Sequence, residues 1–241
     1  MAARRRKAEL LTARALSPSV RSLVFRTTDA SPVGHVPGQY LSVLVPTATG
    51  LPYRRDYSIA SAPDPAQPDR FELAVTRVDG GPTSEALHAL SLGAQIEIEG
   101  PLGVFVRRPD ERRFPALLVA TGTGLAPIRA MLGDDVRDPA GPALVLLFGC
   151  RTPADILWAE ELRTWERDVP RLRMHVTLSR SPPEWTGLTG YVQRHAHDLA
   201  AALPGVHAYV CGLSAMVEDV VRLLERQAGI PRDRLHYEVY D

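Results

Sequence analysis

Four apolar runs in the second half of the chain constrain its fold more than any other feature. The runs are ALLVA, ALVLLFGC, RMHVTLS and HAYVCG, and segments with a helical pattern alternate with them. Strands that are buried on both faces of a parallel sheet have this continuous apolar character. Alternation of such strands with helices is typical of a doubly wound α/β fold. We therefore predict a doubly wound parallel sheet in this half of the chain.

The first half has a different pattern, in which short segments are rich in β-branched and aromatic residues. These segments are LLTARAL, VRSLVFRTT, QYLSVLVP, DYSIASA, FELAVTRV and QIEIEG. Clusters of Pro, Gly, Asp and Ser separate them, at the spacing expected of a small antiparallel barrel or sandwich. One helical segment, SEALHAL, interrupts the strands, with Ser84 as its predicted N-cap. The change of pattern predicts two domains, residues 1–110 and residues 111–241.

Charge and cysteine content exclude several classes of function. The 28 Lys and Arg residues balance the 28 Asp and Glu residues, whereas nucleic-acid-binding proteins carry a basic excess. Two cysteines, Cys150 and Cys211, are too few for a four-cysteine iron–sulfur or zinc site, and no metal ligand is assigned. No apolar run is long enough to span a bilayer. We expect a cytoplasmic protein that binds neither nucleic acid nor membrane, with residues 4–7 as a solvated basic tail.

A glycine-rich turn, TGTGLAP, lies between the first of the four apolar strands and a helix. Ligands of open α/β sheets bind at the carboxyl ends of the strands. Glycines let the backbone approach a pyrophosphate closely, and the N-terminus of the following helix offers free N–H groups. A plain turn is the alternative, but the order of strand, TGTG, Pro and helix favours a bound dinucleotide.

Two further segments end predicted strands of the same domain. Ser179 and Arg180 follow one strand, where a guanidinium and a hydroxyl can hold a phosphate; an acidic residue there would favour the 2′-hydroxyl of NAD. Cys211 ends the last apolar run. Taken alone, the first pair is better explained as an exposed loop, and a buried cysteine is usually a small apolar residue.

The first half contains two polar segments that suit a second phosphate-bearing cofactor. GGPTS, at residues 80–84, offers backbone N–H groups and two hydroxyls, although a capped turn explains it equally well. In RRDYSIASAP, an extended strand places Arg55 and Tyr57 on one side and Ser58 on the other. One face then offers a guanidinium for a pyrophosphate and a phenol ring for stacking. A redox flavin opposite a nicotinamide would use both domains, because hydride transfer needs two flat rings in contact.

With these motifs in this order, the chain resembles the ferredoxin–NADP reductase family over essentially its whole length. The family's flavin motif, R-x-Y-S, begins here at Arg55. The resemblance implies that Arg55 binds the FAD pyrophosphate, Tyr57 stacks on the isoalloxazine and Ser58 hydrogen-bonds near flavin N5. Other positions that match the family's FAD site are Val75, Thr76, Gly81, Thr83 and Ser84.

The same resemblance implies an NADP(H) site in the second domain. The G-T-G-x-x-P turn is matched by Gly122, Thr123, Gly124 and Pro127. The pocket for the 2′-phosphate and adenine is matched by Ser179, Arg180, Tyr191 and Gln193. A C-G-L-x-x-M motif that borders the nicotinamide is matched by Cys211, Gly212, Leu213 and Met216. Glu238 and Tyr240 resemble the E-V-Y terminus of plant-type members, whose Tyr covers the flavin. Asp241 follows that Tyr here, and the short segment at residues 78–80 lacks the family's adenine-stacking Tyr.

The resemblance implies a flavoenzyme with noncovalent FAD, in which nicotinamide C4 and flavin N5 exchange a hydride. Its catalytic residues would be Ser58, Cys211, Glu238 and Tyr240, and its partner an acidic one-electron carrier, ferredoxin or flavodoxin. One alternative is the NAD(P)H-dependent reductase component of an oxygenase, or a reductase of free flavin. An alternative of another class is a non-catalytic electron-transfer or regulatory flavoprotein subunit.

Overall fold

The computed structural model describes residues 4–45 and 52–240, so that Asp241 lies outside the described residues. The chain forms two compact units. The first comprises residues 1–106 with residues 129–134, and the second comprises residues 107–128 with residues 135–241. The first unit thus ends four residues before the position of the predicted boundary and takes a short segment from later in the chain.

The first unit is built on a six-stranded antiparallel sheet. Its elements are β1 (Arg4–Ala15), β2 (Val20–Thr27), β3 (Tyr40–Val45), β4 (Tyr53–Ser58), β5 (Arg70–Thr76), α1 (Pro82–His88) and β6 (Gln95–Leu102). The strands lie in the order β4–β3–β6–β1–β2–β5, and every pairing is antiparallel. An antiparallel bridge between Ile59 and Leu73 joins the end of β4 to β5. This bridge connects the two outer strands, as the predicted antiparallel barrel requires.

Two local predictions in this unit are wrong. Residues 4–7 are not a solvated tail, because they begin β1, where Arg6 is buried and donates to the carbonyls of Pro32 and Val33. Ser84 is not the N-cap of α1, because the helix begins at Pro82 and Gly81 is its N-cap. Proline suits the first position of a helix, because an N–H at that position would have no partner within the helix.

The second unit is built on a six-stranded parallel sheet, as predicted. Its strands are β7 (Ala116–Thr121), β8 (Leu144–Cys150), β9 (Leu172–Leu178), β10 (Leu188–Thr189), β11 (His207–Leu213) and β12 (Leu235–Tyr240). Its helices are α2 (Leu125–Asp135), which also contributes to the first unit, α3 (Ala159–Asp168), α4 (Gln193–Ala201) and α5 (Ser214–Arg226).

The strand order of the second unit is β10–β9–β8–β7–β11–β12. The chain moves outward from β7 through β8 to β10, and then returns to the other side of β7 with β11 and β12. The direction of winding therefore reverses between β7 and β11. In open α/β sheets, ligands bind at the carboxyl ends of the strands at such a reversal.

The helical pattern of residues 154–168 is longer than the helix that forms there. Residues 153–155 form a 3-10 turn, and α3 begins only at Ala159. The backbone of Trp158 has a φ of 49°, a left-handed conformation that cannot continue a helix and that the sequence pattern does not reveal. Within the described residues, no helix has both the length and the apolar character that crossing a membrane requires.

Candidate functional site

The last two residues of β4 are more buried than the rest of the strand. Residues 53–56 are exposed, whereas Tyr57 is half-buried and packs against the barrel core, and Ser58 is buried. Burial raises the pKa of Tyr57 to about 12, an effect that nearby Arg55 opposes. The phenol is therefore neutral at physiological pH.

Three charged neighbours on β4 have different surroundings. Arg54 forms ion pairs with Glu99 at 3.2 Å and Asp56 at 3.8 Å, and Asp56 accepts a hydrogen bond of 2.5 Å from Ser42. These contacts tie β4 to its neighbours in the sheet. Within the described residues, the exposed guanidinium of Arg55 forms no hydrogen bond or ion pair, so it is free to bind an anion.

The adjacent hydroxyls of Thr83 and Ser84 on α1 are both buried, but only one of them is satisfied. The Ser84 hydroxyl accepts from the Val78 N–H at 3.1 Å and lies 3.0 Å from the Gly81 carbonyl, and so holds the preceding loop. The Thr83 hydroxyl has no hydrogen-bond partner in the described part of the chain. A buried orphaned hydroxyl is costly unless a ligand completes it, so Thr83 fits a phosphate-bearing cofactor.

The other residues that match the FAD motifs lie nearby in the sequence. Val75 is fully buried in the barrel core, and Thr76 ends β5 half-buried. The Val75 carbonyl already accepts a hydrogen bond from His88 at 2.9 Å.

In the second unit, the glycine-rich turn packs directly against the end of β11. A Cβ atom on Gly124 would lie 2.4 Å from the carbonyl oxygen of Cys211, and one on Gly212 would lie 2.3 Å from Oγ1 of Thr121. Gly122 adopts a φ of 54°, and a Cβ there would meet open space. The backbones of β7 and β11 thus meet at the point where the winding reverses. Side chains at Gly124 and Gly212 would force them apart.

The TGTG segment continues into a helix as predicted. Residues 122–124 form a 3-10 turn, α2 begins at Leu125, and Pro127 lies in its first turn. The Thr121 hydroxyl beside this turn is buried and has no hydrogen-bond partner within the described residues. Thr121 is not among the site residues predicted from the sequence. Its place as the last residue of the strand before the glycines is the signal that could have identified it.

The residues of the predicted pocket for the 2′-phosphate and adenine lie together at the carboxyl end of β9. Ser179 and Arg180 are exposed there, and β10 pairs Thr189 with Leu178, which brings residues 190–193 to the same place. The Arg180 guanidinium has no hydrogen bond or ion pair among the described residues. Tyr191 is 66% exposed, and the buried Oε1 of Gln193 has no partner in the described part of the chain. Arg180 offers a cation for a phosphate, and Tyr191 and Gln193 offer an aromatic ring and an amide for a base.

The parallel pairing of β11 with β12 brings three of the predicted catalytic residues together. Cys211 is opposite Glu238, and Leu213 is opposite Tyr240. Burial, followed by the negative charge of Glu238, raises the pKa of Cys211 well above its usual value, and the Tyr240 side chain opposes this. The Cys211 thiol is fully buried and therefore stays protonated. Next to it, Leu213 is exposed and Met216 packs into the core.

Two family comparisons cover most of the chain. The oxidoreductase FAD-binding domain matches residues 7–106, and the oxidoreductase NAD-binding domain matches residues 118–222. These ranges include the candidate residues described above except Glu238 and Tyr240, which follow the second range. The buried Thr83 hydroxyl, which has no partner in the described residues, suits the binding of FAD. The close-packed glycine turn suits the binding of a nicotinamide dinucleotide.

Several characterised proteins are similar to this chain. Ferredoxin–NADP reductase B of Sorangium cellulosum is 43% identical, and the match covers 98% of this chain and 97% of that protein. Phenol hydroxylase P5 protein of Acinetobacter pittii is 30% identical, over 96% of this chain and 64% of that protein. Among solved structures, the ferredoxin reductase in carbazole 1,9a-dioxygenase has a TM-score of 0.85 at 26% identity, covering 99% of this chain and 70% of that one.

Proposed function

The chain belongs to the ferredoxin–NADP reductase family, and from that premise we propose that it carries electrons between NADPH and a one-electron carrier protein. Bound FAD would exchange a hydride with the nicotinamide and single electrons with the carrier. The observation that carries the proposal is the match to ferredoxin–NADP reductase B, which extends over 97% of that protein. A second observation is that this sequence contains only two cysteines. These 241 residues hold no four-cysteine cluster, so the one-electron carrier of the proposal lies outside them.

Four side chains of the first unit would bind FAD. The unpaired Arg55 guanidinium would pair with its phosphates, and the Thr83 hydroxyl would donate to a phosphate oxygen. The neutral Tyr57 ring would stack on the isoalloxazine. Ser58, buried at the end of β4, would hydrogen-bond near flavin N5.

The second unit would bind NADPH at the reversal between β7 and β11. The turn at residues 122–124 would approach the pyrophosphate, with Thr121 as a hydroxyl donor. Arg180 and Ser179 would hold the 2′-phosphate, and Tyr191 would stack on the adenine. This assignment supports NADPH over NADH, because Arg180 offers a charge that the 2′-hydroxyl of NADH does not need.

Cys211 would act as a neutral hydrogen-bond donor that positions the nicotinamide. Its raised pKa excludes a stable thiolate at neutral pH, so the residue is suited to orientation and not to nucleophilic attack. Glu238 and Tyr240, held opposite β11 by the strand register, would complete this group.

We propose ferredoxin as the carrier, with flavodoxin as a second acidic carrier, in the cytoplasm. Acidic carriers dock by charge complementarity, which sets the rate of encounter and its dependence on salt. The name of the Sorangium relative supports ferredoxin, and flavodoxin follows from its shared charge and one-electron chemistry.

Titration of the flavin-loaded protein with different acceptors tests this function. With NADPH as donor, we expect saturable reduction of ferredoxin that weakens as the salt concentration rises. Rapid turnover with free FMN, together with none for ferredoxin or flavodoxin, would contradict the proposal and identify a free-flavin reductase.

The reductase component of an oxygenase is the second candidate function. Its support is the similarity to phenol hydroxylase P5 protein and to the ferredoxin reductase in carbazole 1,9a-dioxygenase, each of which is longer than this chain. Reduction of an oxygenase component directly, in preference to ferredoxin, would favour it. A flavin whose absorption does not change under anaerobic NADPH would favour a non-catalytic subunit.

A further inference from the structure

A carboxylate and two imidazoles meet at the amino ends of the strands in the second unit. His207 is the first residue of β11, His236 is the second residue of β12, and Glu111 lies in the segment before β7. Their ligand atoms all lie within 4.8 Å of one another. The candidate nucleotide residues are at the carboxyl ends of the same strands. This cluster therefore lies at the opposite edge of the sheet and is separate from the proposed function.

The distances within the cluster suit a tetrahedral cation. Nδ1 of His207 lies 3.3 Å from Nε2 of His236, and that Nε2 lies 3.7 Å from Oε1 of Glu111. Bonds of 2.0–2.1 Å from zinc to nitrogen place two tetrahedral ligands about 3.3–3.4 Å apart. Octahedral neighbours at the same bond length would be about 2.9 Å apart. The nitrogen separation thus matches tetrahedral zinc, and the carboxylate oxygen, which lies 3.7 Å from His236 and within 4.8 Å of His207, would move closer to both rings on binding.

A surrounding shell of contacts orients the three ligands before any cation binds. Oε2 of Glu111 accepts hydrogen bonds from the Tyr209 hydroxyl and the Arg108 N–H, each at 2.9 Å, which leaves Oε1 directed toward His236. The Tyr209 ring stacks on His236 at 4.6 Å, and His236 stacks on His207 at 5.6 Å. Partners of this kind fix the orientation of metal ligands and raise affinity.

The charges around the cluster act in both directions. Burial lowers the pKa of both His207 and His236, so each ring is neutral and has a nitrogen lone pair for a metal. Arg107, Arg108 and Arg234 are close enough to oppose a cation, whereas Glu111 and Asp233 favour one. Arg107 forms an ion pair with the Asp135 carboxylate at 2.9 Å, which reduces its opposition.

We propose that Glu111, His207 and His236 bind one divalent cation, with Zn²⁺ the best fit among common metals. Two imidazoles and a carboxylate are ligands that zinc accepts, and solvent would complete the fourth position beside the partly exposed His236. The cation would fasten the segment before β7 to the first residues of β11 and β12. The same 3.3 Å separation also permits a hydrogen bond between the two rings, which is the alternative that a test must separate.

Equilibrium dialysis of the flavin-loaded full chain against Zn²⁺ alone, with metal analysis, tests the proposal. We expect one Zn²⁺ per chain, and zinc X-ray absorption of the wild-type protein should show two imidazole nitrogens and a carboxylate oxygen. His236→Gln should weaken binding by at least about 100-fold, the upper end of the loss from removing an outer partner. His197→Gln is the matched control, because His197 also lies beside a carboxylate, that of Asp198, and it should bind as the wild type does.

Tyr209→Phe provides a second test that preserves the fold. It keeps the buried ring but removes the hydroxyl that orients Glu111, so zinc binding should weaken by about 10- to 100-fold. Wild-type protein without bound Zn²⁺ would overturn the proposal in favour of a hydrogen-bonded histidine pair. Equal losses for His236→Gln and His197→Gln would overturn it as well, because binding would then lie elsewhere.

Discussion

Thr83 and Ser84 are adjacent buried hydroxyls, and their different partners predict opposite effects on stability. Thr83→Val keeps the shape of the side chain and removes a hydroxyl that has no partner in the described residues. Because a buried unsatisfied group costs about 1–3 kcal/mol, the flavin-free variant should unfold with a free energy about 1 kcal/mol higher. FAD should bind about tenfold more weakly, a loss of about 1.4 kcal/mol. Urea unfolding and flavin titration measure the two effects.

Ser84→Ala is the matched control for that prediction. Its hydroxyl accepts from Val78 N–H and bonds within the loop, so its loss should lower the free energy of unfolding without FAD present. If Thr83→Val lowers stability as Ser84→Ala does, then Thr83 has a structural role and its assignment to FAD fails.

Arg180 is the residue that should separate NADPH from NADH. A charge-assisted hydrogen bond contributes about 1.5–3 kcal/mol, so Arg180→Ala should raise the KM for NADPH by about 10- to 100-fold. The KM for NADH and the kcat with saturating NADPH should change little. Steady-state kinetics with both nucleotides measure this.

Arg173→Ala is the control, because Arg173 is exposed at the opposite end of the same strand. It should leave both Michaelis constants unchanged. An unaltered KM for NADPH in Arg180→Ala would show that the 2′-phosphate is held elsewhere.

At the scale of elements, the contact between the glycine turn and β11 should be intolerant of side chains. Gly124→Ala would place a Cβ 2.4 Å from the Cys211 carbonyl, so the turn or the strand must move. We expect a stability loss of about 1–3 kcal/mol. Because the displaced turn is the proposed pyrophosphate site, NADPH affinity should also fall at least about tenfold, which fluorescence titration can measure.

Gly205→Ala controls for backbone strain alone. Gly205 has a φ of 74°, and no atom lies within 4 Å of its Cβ position. This variant should lose about 1 kcal/mol of stability and keep its NADPH affinity. If Gly124→Ala behaves in the same way, close packing against β11 does not form the site.

The type of most elements could be predicted from the sequence, but their limits could not. The apolar runs of β7, β8 and β11 identify buried parallel strands because burial on both faces demands continuous apolar sequence. The prediction of a solvated tail at residues 4–7 is wrong because arginine is rarely buried, and so a run of basic residues usually indicates an exposed segment. Arg6 is buried, and its two terminal guanidinium nitrogens donate to backbone carbonyls. β12 escaped identification as a strand because its alternate residues are exposed at a sheet edge.

To locate the candidate site, both the sequence motifs and the register of the strands are needed. The motifs named Cys211 and Glu238, but the pairing of β11 with β12 is what places them opposite each other. The hydrogen bonding of a hydroxyl such as that of Thr121 depends on its neighbours in three dimensions, so the sequence shows the residue's place before the glycines but not whether its hydroxyl is bonded. The cluster of Glu111, His207 and His236 joins residues from three separate segments, which have no common spacing in the sequence.

At the scale of the whole molecule, buried histidines should make stability depend on pH. Burial lowers the pKa of His35 in the first unit, and of His207 and His236 in the second. The unfolded chain therefore binds more protons than the folded chain as pH falls below 6.5, and stability decreases in that direction. Each such proton contributes up to about 1.4 kcal/mol per pH unit. Urea unfolding without added metal at pH 7.5 and lower values, set at roughly one-unit steps, measures the slope.

His35→Gln should flatten part of that slope. The His35 ring donates a hydrogen bond from Nε2 to the Ser61 carbonyl at 2.9 Å. Its buried Nδ1 has no hydrogen-bond partner among the described residues, so a proton added at Nδ1 would have no acceptor there. Glutamine does not titrate. An unchanged slope would show that His35 ionises freely in the folded protein.

Both cysteines of the chain should be resistant to oxidative damage. Burial raises the pKa of Cys150 to about 12 and that of Cys211 well above the usual value. Peroxides and alkylating reagents react with the thiolate, and flavins themselves take part in oxygen chemistry. A flavoprotein whose thiols stay protonated can work beside its own oxidants without forming sulfenic acid. Purification and storage should therefore succeed without added reducing agent.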